Sequence, residues 1–272
     1  KINFSEILLN SNLSCNLKID VTFNNKKIIS KIQPTSSKKF SIKISKPKLW
    51  SIGKPNLYNF TFTLLNKDNK TLDVVKSYGG MRSIEIKRNK IYLNGKPLYQ
   101  RLVLDQGFYP KGIWTAPSDK DLKNDILLSM KAGFNGARLH EKVFEDRFHY
   151  WADKLGYLTW AEFPNWGLNE NAKGSEISFM KEWPRIVNYL KNHPSIITWT
   201  PFNETNTLEC NSQHKNLMRK AYNVTKKIDP TRPVNETSGY QHQKTDIWTV
   251  HHYEPIPEML NKALNPKKGV YR

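Results

Sequence analysis

From about residue 99 the chain alternates short apolar strands with amphipathic helices, and the strands turn polar only at their C-terminal ends. No other feature narrows the fold as much. QRLVLD leads to a helix start marked by Ser118 and by Asp121 three residues later, with Leu122, Ile126 and Met130 at four-residue spacing and Gly133 as the stop. FNGARLH (134–140) precedes the helical text FEDRFHYWADKLG (144–156), and YLTWAEFP (157–164) precedes a helix around 176–191. IITWTPFN (196–203) precedes a helix around 212–228, and RPVNETS (232–238) and DIWTVHHY (246–253) follow as strands. Near-continuous apolar strands suit a sheet buried on both faces, and βα repeats of roughly 20–40 residues build parallel sheets. The expected strands are 99–105, 134–140, 157–164, 196–203, 233–238 and 246–253, about six of the eight that close a (β/α)8 TIM barrel. Either the sheet is open, or it is an incomplete barrel whose last quarter lies outside the given sequence.

Residues 1–82 follow a period of two instead. LKIDVTF (17–23), KKFSIKI (38–44) and LYNFTFTLL (57–65) place apolar residues at alternate positions between polar turns, as in a small antiparallel β-sandwich. IEIKRNKIYLNGKPLY (84–99) reads as two strands around a polar turn, followed by the tight-turn pair Asn94-Gly95. The expected organisation is therefore a sandwich over 1–82 and an α/β domain over 83–272. A content of 38% apolar residues with 8 Trp supports packed cores. The net charge of +19 is concentrated in residues 1–82, which hold 15 basic and 4 acidic residues. Those lysines are scattered through strand text and form neither a helical stripe nor a tail, so nucleic acid is not an expected partner. No apolar run approaches about 18 residues and the start lacks a leader pattern, so no membrane partner is expected, and the compartment stays open. Cys15 and Cys210 give neither a disulfide framework nor metal-ligand spacing, and the seven Asn-x-Ser/Thr triplets are what an Asn-rich chain produces.

In α/β barrels the functional side chains come from the C-terminal strand ends. Those ends collect Asp105, Arg138 and His140, Glu162 with Trp166, Asn203 and Glu204, Asn235 and Glu236, then His251, His252 and Tyr253. No Gly-rich phosphate loop, nucleophile elbow or HExxH helix is present. Carboxylates beside aromatic platforms suit sugar chemistry, because glycoside cleavage needs carboxyl groups at the anomeric carbon and pyranose faces stack on indoles. Each residue also has a plainer reading: a polar strand end meets solvent, a histidine satisfies a hydrogen bond, and Trp160 and Trp199, in mid-strand, belong to the core.

GFNGARLHEKVFEDRFHYWADKLGYLTWAEFPNWG, NHPSIITWTPFNETN, DPTRPVNETSGY and TDIWTVHHY, in that order, closely resemble glycoside hydrolase family 2, the family of β-galactosidases, β-glucuronidases and β-mannosidases. PKLWSIGKPNLYNFTFTL resembles the end of that family's immunoglobulin-like domain, and GMRSIEI its bridge into the barrel, so the likeness runs from about residue 47 to about 255. The resemblance implies an immunoglobulin-like β-sandwich ahead of the barrel and a retaining exo-β-glycosidase, β-galactosidase-like, working by double displacement. Glu204 would be the general acid/base, with Asn203 on the sugar 2-hydroxyl and Arg138, His140, Glu162, Trp166, His251 and Tyr253 around the sugar. A raised Glu204 pKa is expected beside a second carboxylate. The nucleophile is a strand-seven Glu expected beyond this chain, so the chain alone is expected to be inactive. The alternative is a non-catalytic carbohydrate-binding homologue. No cofactor is implied and no metal site is expected, although cations occur in the family. A homo-oligomer is left open for the whole protein.

Overall fold

The computed structural model describes residues 2–4, 15–36, 40–205, 211–265 and 267–269. Cys210, the triplet at Asn12 and part of the expected strand 38–44 lie outside the described residues. The chain forms two compact units, one of residues 1–139, 144–160 and 188–197, the other of residues 140–143, 161–187 and 198–272.

The first unit opens with β1 (Ile2–Phe4), β2 (Asn16–Phe23), β3 (Lys26–Pro34), β4 (Phe40–Ile42), β5 (Tyr58–Leu65) and β6 (Thr71–Gly79). β3-β2-β5-β6 form an antiparallel sheet, and β1 pairs with β4. Alternation in β2 points Leu17, Ile19 and Val21 to one face, where they pack with Ile42, Tyr58 and Phe60. That shared core makes two layers of the sandwich. β7 (Ile84–Lys87), β8 (Lys90–Leu93) and β9 (Lys96–Pro97) form an antiparallel meander around the Asn94-Gly95 turn.

The βα region then follows. β10 (Leu102–Asp105), α1 (Asp119–Lys131), β11 (Gly136–Leu139), α2 (Asp146–Leu155), β12 (Leu158–Glu162), α3 (Ser175–Leu190) and β13 (Ile196–Thr200) alternate, with the four strands in sheet order β10-β11-β12-β13. β10 and β11 are parallel, with Leu104 opposite Arg138. Ser118 caps α1 by accepting from the Asp121 N–H, as the spacing required. The second unit continues with β14 (Phe202–Thr205), α4 (Ser212–Ile228), β15 (Thr237–Tyr240) and α5 (Pro257–Ala263). β14 and β15 are parallel, and a parallel bridge joins Trp199 to Val234. The expected strand 196–203 is thus broken at Pro201, which has no N–H for a ladder. The expected strand 246–253 forms no ladder. Its contacts with 234–239 run instead through Asp246 N to Val234 O at 2.8 Å, Asn235 Nδ2 to Ile247 O at 2.8 Å and Gly239 N to Thr249 Oγ1 at 3.0 Å. No helix among the described residues is long and apolar enough to cross a membrane.

Candidate active site

Of the strand-end residues singled out above, all but Asp105 and Arg138 fall in the second unit. Glu162 closes β12, fully buried, and its Oε1 meets His140 Nδ1 and the Glu141 N–H, both at 3.1 Å. His140 stands edge-on to Trp166, with ring centroids 5.1 Å apart. The Trp166 N–H donates to Glu141 Oε2 at 2.9 Å, which leaves the indole itself exposed. The donor atoms of His140, Glu141 and Glu162 lie within 4.8 Å of one another, so the trio could hold a cation, although sequence spacing had singled out no metal site.

Asn203 is buried, and its main chain is bridged by Asn165: the Asn203 N–H donates to Asn165 Oδ1 at 2.8 Å, and Asn165 Nδ2 donates to the Asn203 carbonyl at 3.4 Å. A glycan at Asn203 or at the fully buried Asn235 would have no room. Glu204 follows with left-handed backbone, φ 48. A non-glycine residue in that region is uncommon and marks a locally determined conformation. Its Oε1 lies 2.6 Å from His251 Nδ1 and accepts from the Tyr253 hydroxyl. Oε2 is engaged by no described residue. Burial pushes the Glu204 pKa up, but the bonds from Tyr253 and His251, aided by the charge of His251 and His140, outweigh it and hold the carboxyl below its ordinary range. The sequence had led us to expect the opposite direction. The physical reason is that two hydrogen-bond donors, and no second carboxylate, dominate its described surroundings.

The remaining candidates separate. Arg138 is half-buried on β11 in the first unit. Glu236, fully buried, meets His242 Nδ1 at 3.0 Å and accepts from the N–H groups of Gln243 at 2.5 Å and Lys244 at 3.1 Å, which makes it the anchor of the 241–245 loop. Sequence reasoning missed Asn165, Glu141 and the Ser238-Gly239 pair. The one visible signal was a glycine at a strand end.

The family model described as glycosyl hydrolases family 2, TIM barrel domain, matches residues 84–271, and the glycosyl hydrolases family 2 model matches residues 9–82. This chain belongs to glycosyl hydrolases family 2. The likeness reaches further towards the N-terminus than the motifs from residue 47 indicated. A β-galactosidase of Photobacterium profundum is 29% identical over 216 residues, covering 76% of this chain and 20% of that protein. One from Pseudoalteromonas haloplanktis is 31% identical over 242 residues, covering 86% and 22%. Among solved structures, the β-glucuronidase of Parabacteroides merdae superposes with a TM-score of 0.71 at 22% identity, over 82% of this chain and 29% of that one. A family 2 member from Bacteroides cellulosilyticus does so with a TM-score of 0.68 at 26% identity, over 81% and 30%. The chain thus spans about a fifth of the length of the β-galactosidases it matches.

Proposed function

We propose that this chain supplies the acid/base half of a retaining exo-β-glycosidase, β-galactosidase-like, that removes terminal β-linked sugars. The observation that carries the reading is the division of the Glu204 carboxyl. Oε1 is held by His251 and Tyr253, while Oε2 has no described partner. A group that must protonate a leaving oxygen and then take a proton from water needs one oxygen fixed and the other open. The left-handed backbone at Glu204 and the Asn165 clamp on Asn203 fix where that oxygen points. Asn203 would meet the 2-hydroxyl, and the exposed Trp166 would offer a stacking face. Protons and water suffice for both steps, so the reading calls for no cofactor. The attacking carboxylate would come from a later strand of the whole polypeptide. The likeness to β-galactosidases at 29–31% identity supports the choice of sugar.

The low-lying Glu204 pKa favours a second reading, a carbohydrate-binding homologue that keeps the fold without turnover. One experiment separates the two: the whole polypeptide assayed against a panel of aryl β-glycosides, beside Glu204→Gln. The enzyme reading expects turnover of a β-galactoside and a loss of about 10²–10⁴-fold in the variant on substrates whose leaving group needs a proton. Sugar binding without any turnover, or a fully active variant, would overturn it.

A further inference from the structure

β14 and β15 share a register in which Phe202 lies opposite Thr237, Asn203 opposite Ser238 and Thr205 opposite Tyr240. The pair skipped in that register is Glu204 and Gly239, and both are left-handed, at φ 48 and 81. The two strands therefore kink at one level. On one side the kink takes Glu204 out of the ladder, and on the other it sets Gly239 flat against His251. A Cβ at position 239 would stand 2.9 Å from Cγ, Cδ2 and Nδ1 of that ring, closer than carbon atoms approach. Nδ1 is the nitrogen that meets Glu204 Oε1. The other nitrogen, Nε2, lies 3.1 Å from the hydroxyl of Ser238, which is buried. The Gly239 N–H is itself tied to Thr249 Oγ1, two residues before His251. The ring is thus held at both nitrogens and along one edge. The order serine, histidine, carboxylate matches that of a nucleophilic triad, but with 2% of Ser238 exposed no acyl group can reach its hydroxyl, and the chain of bonds serves orientation instead.

We propose that Ser238 and Gly239 are positioning residues for the acid/base: they seat His251 so that its Nδ1 holds Oε1 of Glu204 and leaves Oε2 to the substrate. The proposal rests on the assignment of Glu204 as acid/base. The titratable groups that act on Glu204 are Tyr253, His251 and His140, and the hydrogen bonds from Tyr253 and His251 favour its ionised form over burial. Loosening the His251 bond therefore raises the pKa of the acid. The basic limb of kcat/KM, which reports the protonated acid, moves to higher pH.

The test uses the whole polypeptide, with Gly239→Ala and Ser238→Ala compared by pH profiles on phenyl and 2,4-dinitrophenyl β-glycosides of the sugar it cleaves. The phenyl leaving group needs a proton and the dinitrophenyl group does not. In Gly239→Ala the basic limb should rise by about half a pH unit or more, and the phenyl-to-dinitrophenyl rate ratio should fall about tenfold. Ser238→Ala, which leaves the backbone untouched and guards against misfolding of the first variant, should move both readouts the same way by less. An unmoved limb, or equal losses on both substrates, overturns the proposal. Glu204→Gln separates the two levels. If the ratio does not fall there, the acid/base assignment itself fails. If it falls there but not in the Ser238 and Gly239 variants, only the positioning role fails.

Discussion

Asn165 does for the main chain what His251 does for the carboxyl. Its amide accepts from the Asn203 N–H and donates to the Asn203 carbonyl and to Glu170 Oε1 at 2.9 Å, so one side chain fastens the peptide before Glu204 to the loop that follows β12. Asn165→Ala leaves that buried N–H without its acceptor, a cost of about 1–3 kcal/mol. We expect a fall in denaturation midpoint of that size and, in the whole polypeptide, a loss in kcat/KM well beyond what the stability change explains. Unchanged turnover with the stability loss alone would reduce Asn165 to a scaffold role. The contrast with Glu204 shows what a sequence reveals of a site. Glu204, Glu162, His140 and His251 were legible because each ends an apolar run. Asn165 acts through backbone groups in a loop, and such a role leaves no trace in residue type or spacing. The direction of the Glu204 pKa was hidden for a related reason: it depends on which oxygen Tyr253 and His251 reach.

Among the elements, α4 shows how a helix end is tied to a strand. Its C-cap Asp229 donates its N–H to the Thr225 carbonyl, and its carboxyl accepts from Trp199 Nε1 of β13 at 2.8 Å, Arg232 Nη1 at 2.5 Å and the Thr231 N–H at 3.0 Å. Burial pushes the Asp229 pKa up, but the Arg232 charge and these bonds outweigh it and bring it down to about 2. A folded pKa below the unfolded one stabilises the fold above about pH 4, and that contribution is lost as pH falls towards 2. Asp229→Asn should therefore lower stability by about 2–3 kcal/mol at neutral pH, and the gap to the unsubstituted chain should close between about pH 4 and 2. A gap that stays constant with pH, measured by urea unfolding, would show that packing and not charge carries the effect. Helices such as α2 and α4 were legible because one face is apolar at a 3.6 period. The edge strands β3 and β6 were not, because most of their side chains are exposed and no alternation of burial is imposed on them. The segment 246–253 failed for the opposite reason: its apolar text reads as a strand, but the bond that the Asn235 side chain donates to the Ile247 carbonyl, and the one that the Gly239 N–H donates to the Thr249 hydroxyl, stand where ladder bonds would form.

At the scale of the molecule, the first unit binds the sandwich to the early βα segments through one buried carboxylate. Asp153 of α2 accepts from the Ser195 N–H at 2.9 Å through Oδ1, and through Oδ2 meets Tyr78 Oη at 2.9 Å and His193 Nδ1 at 2.6 Å. Its main-chain carbonyl takes the indole N–H of the fully buried Trp50 at 2.8 Å. Arg82 adds bonds to the carbonyls of Pro194 at 3.1 Å and Ile196 at 2.7 Å. Gly156, the left-handed C-cap of α2, has the Ser51 carbonyl 3.0 Å from where a Cβ would stand. Period-two and βα text part cleanly near residue 82, which suggests two pieces that fold separately. The compact unit, by contrast, joins residues 1–139 to 144–160 and 188–197. Asp153→Ala decides between these views, because it removes the acceptor that the buried Ser195 N–H shares with the partly buried Tyr78 and His193, at a cost of about 1–3 kcal/mol. If sandwich and early barrel fold as one cooperative body, amides of β5 and of α2 should lose hydrogen-exchange protection together and by the same free energy. If β5 keeps its protection while α2 loses it, residues 1–82 are a domain in their own right and the carboxylate merely docks it.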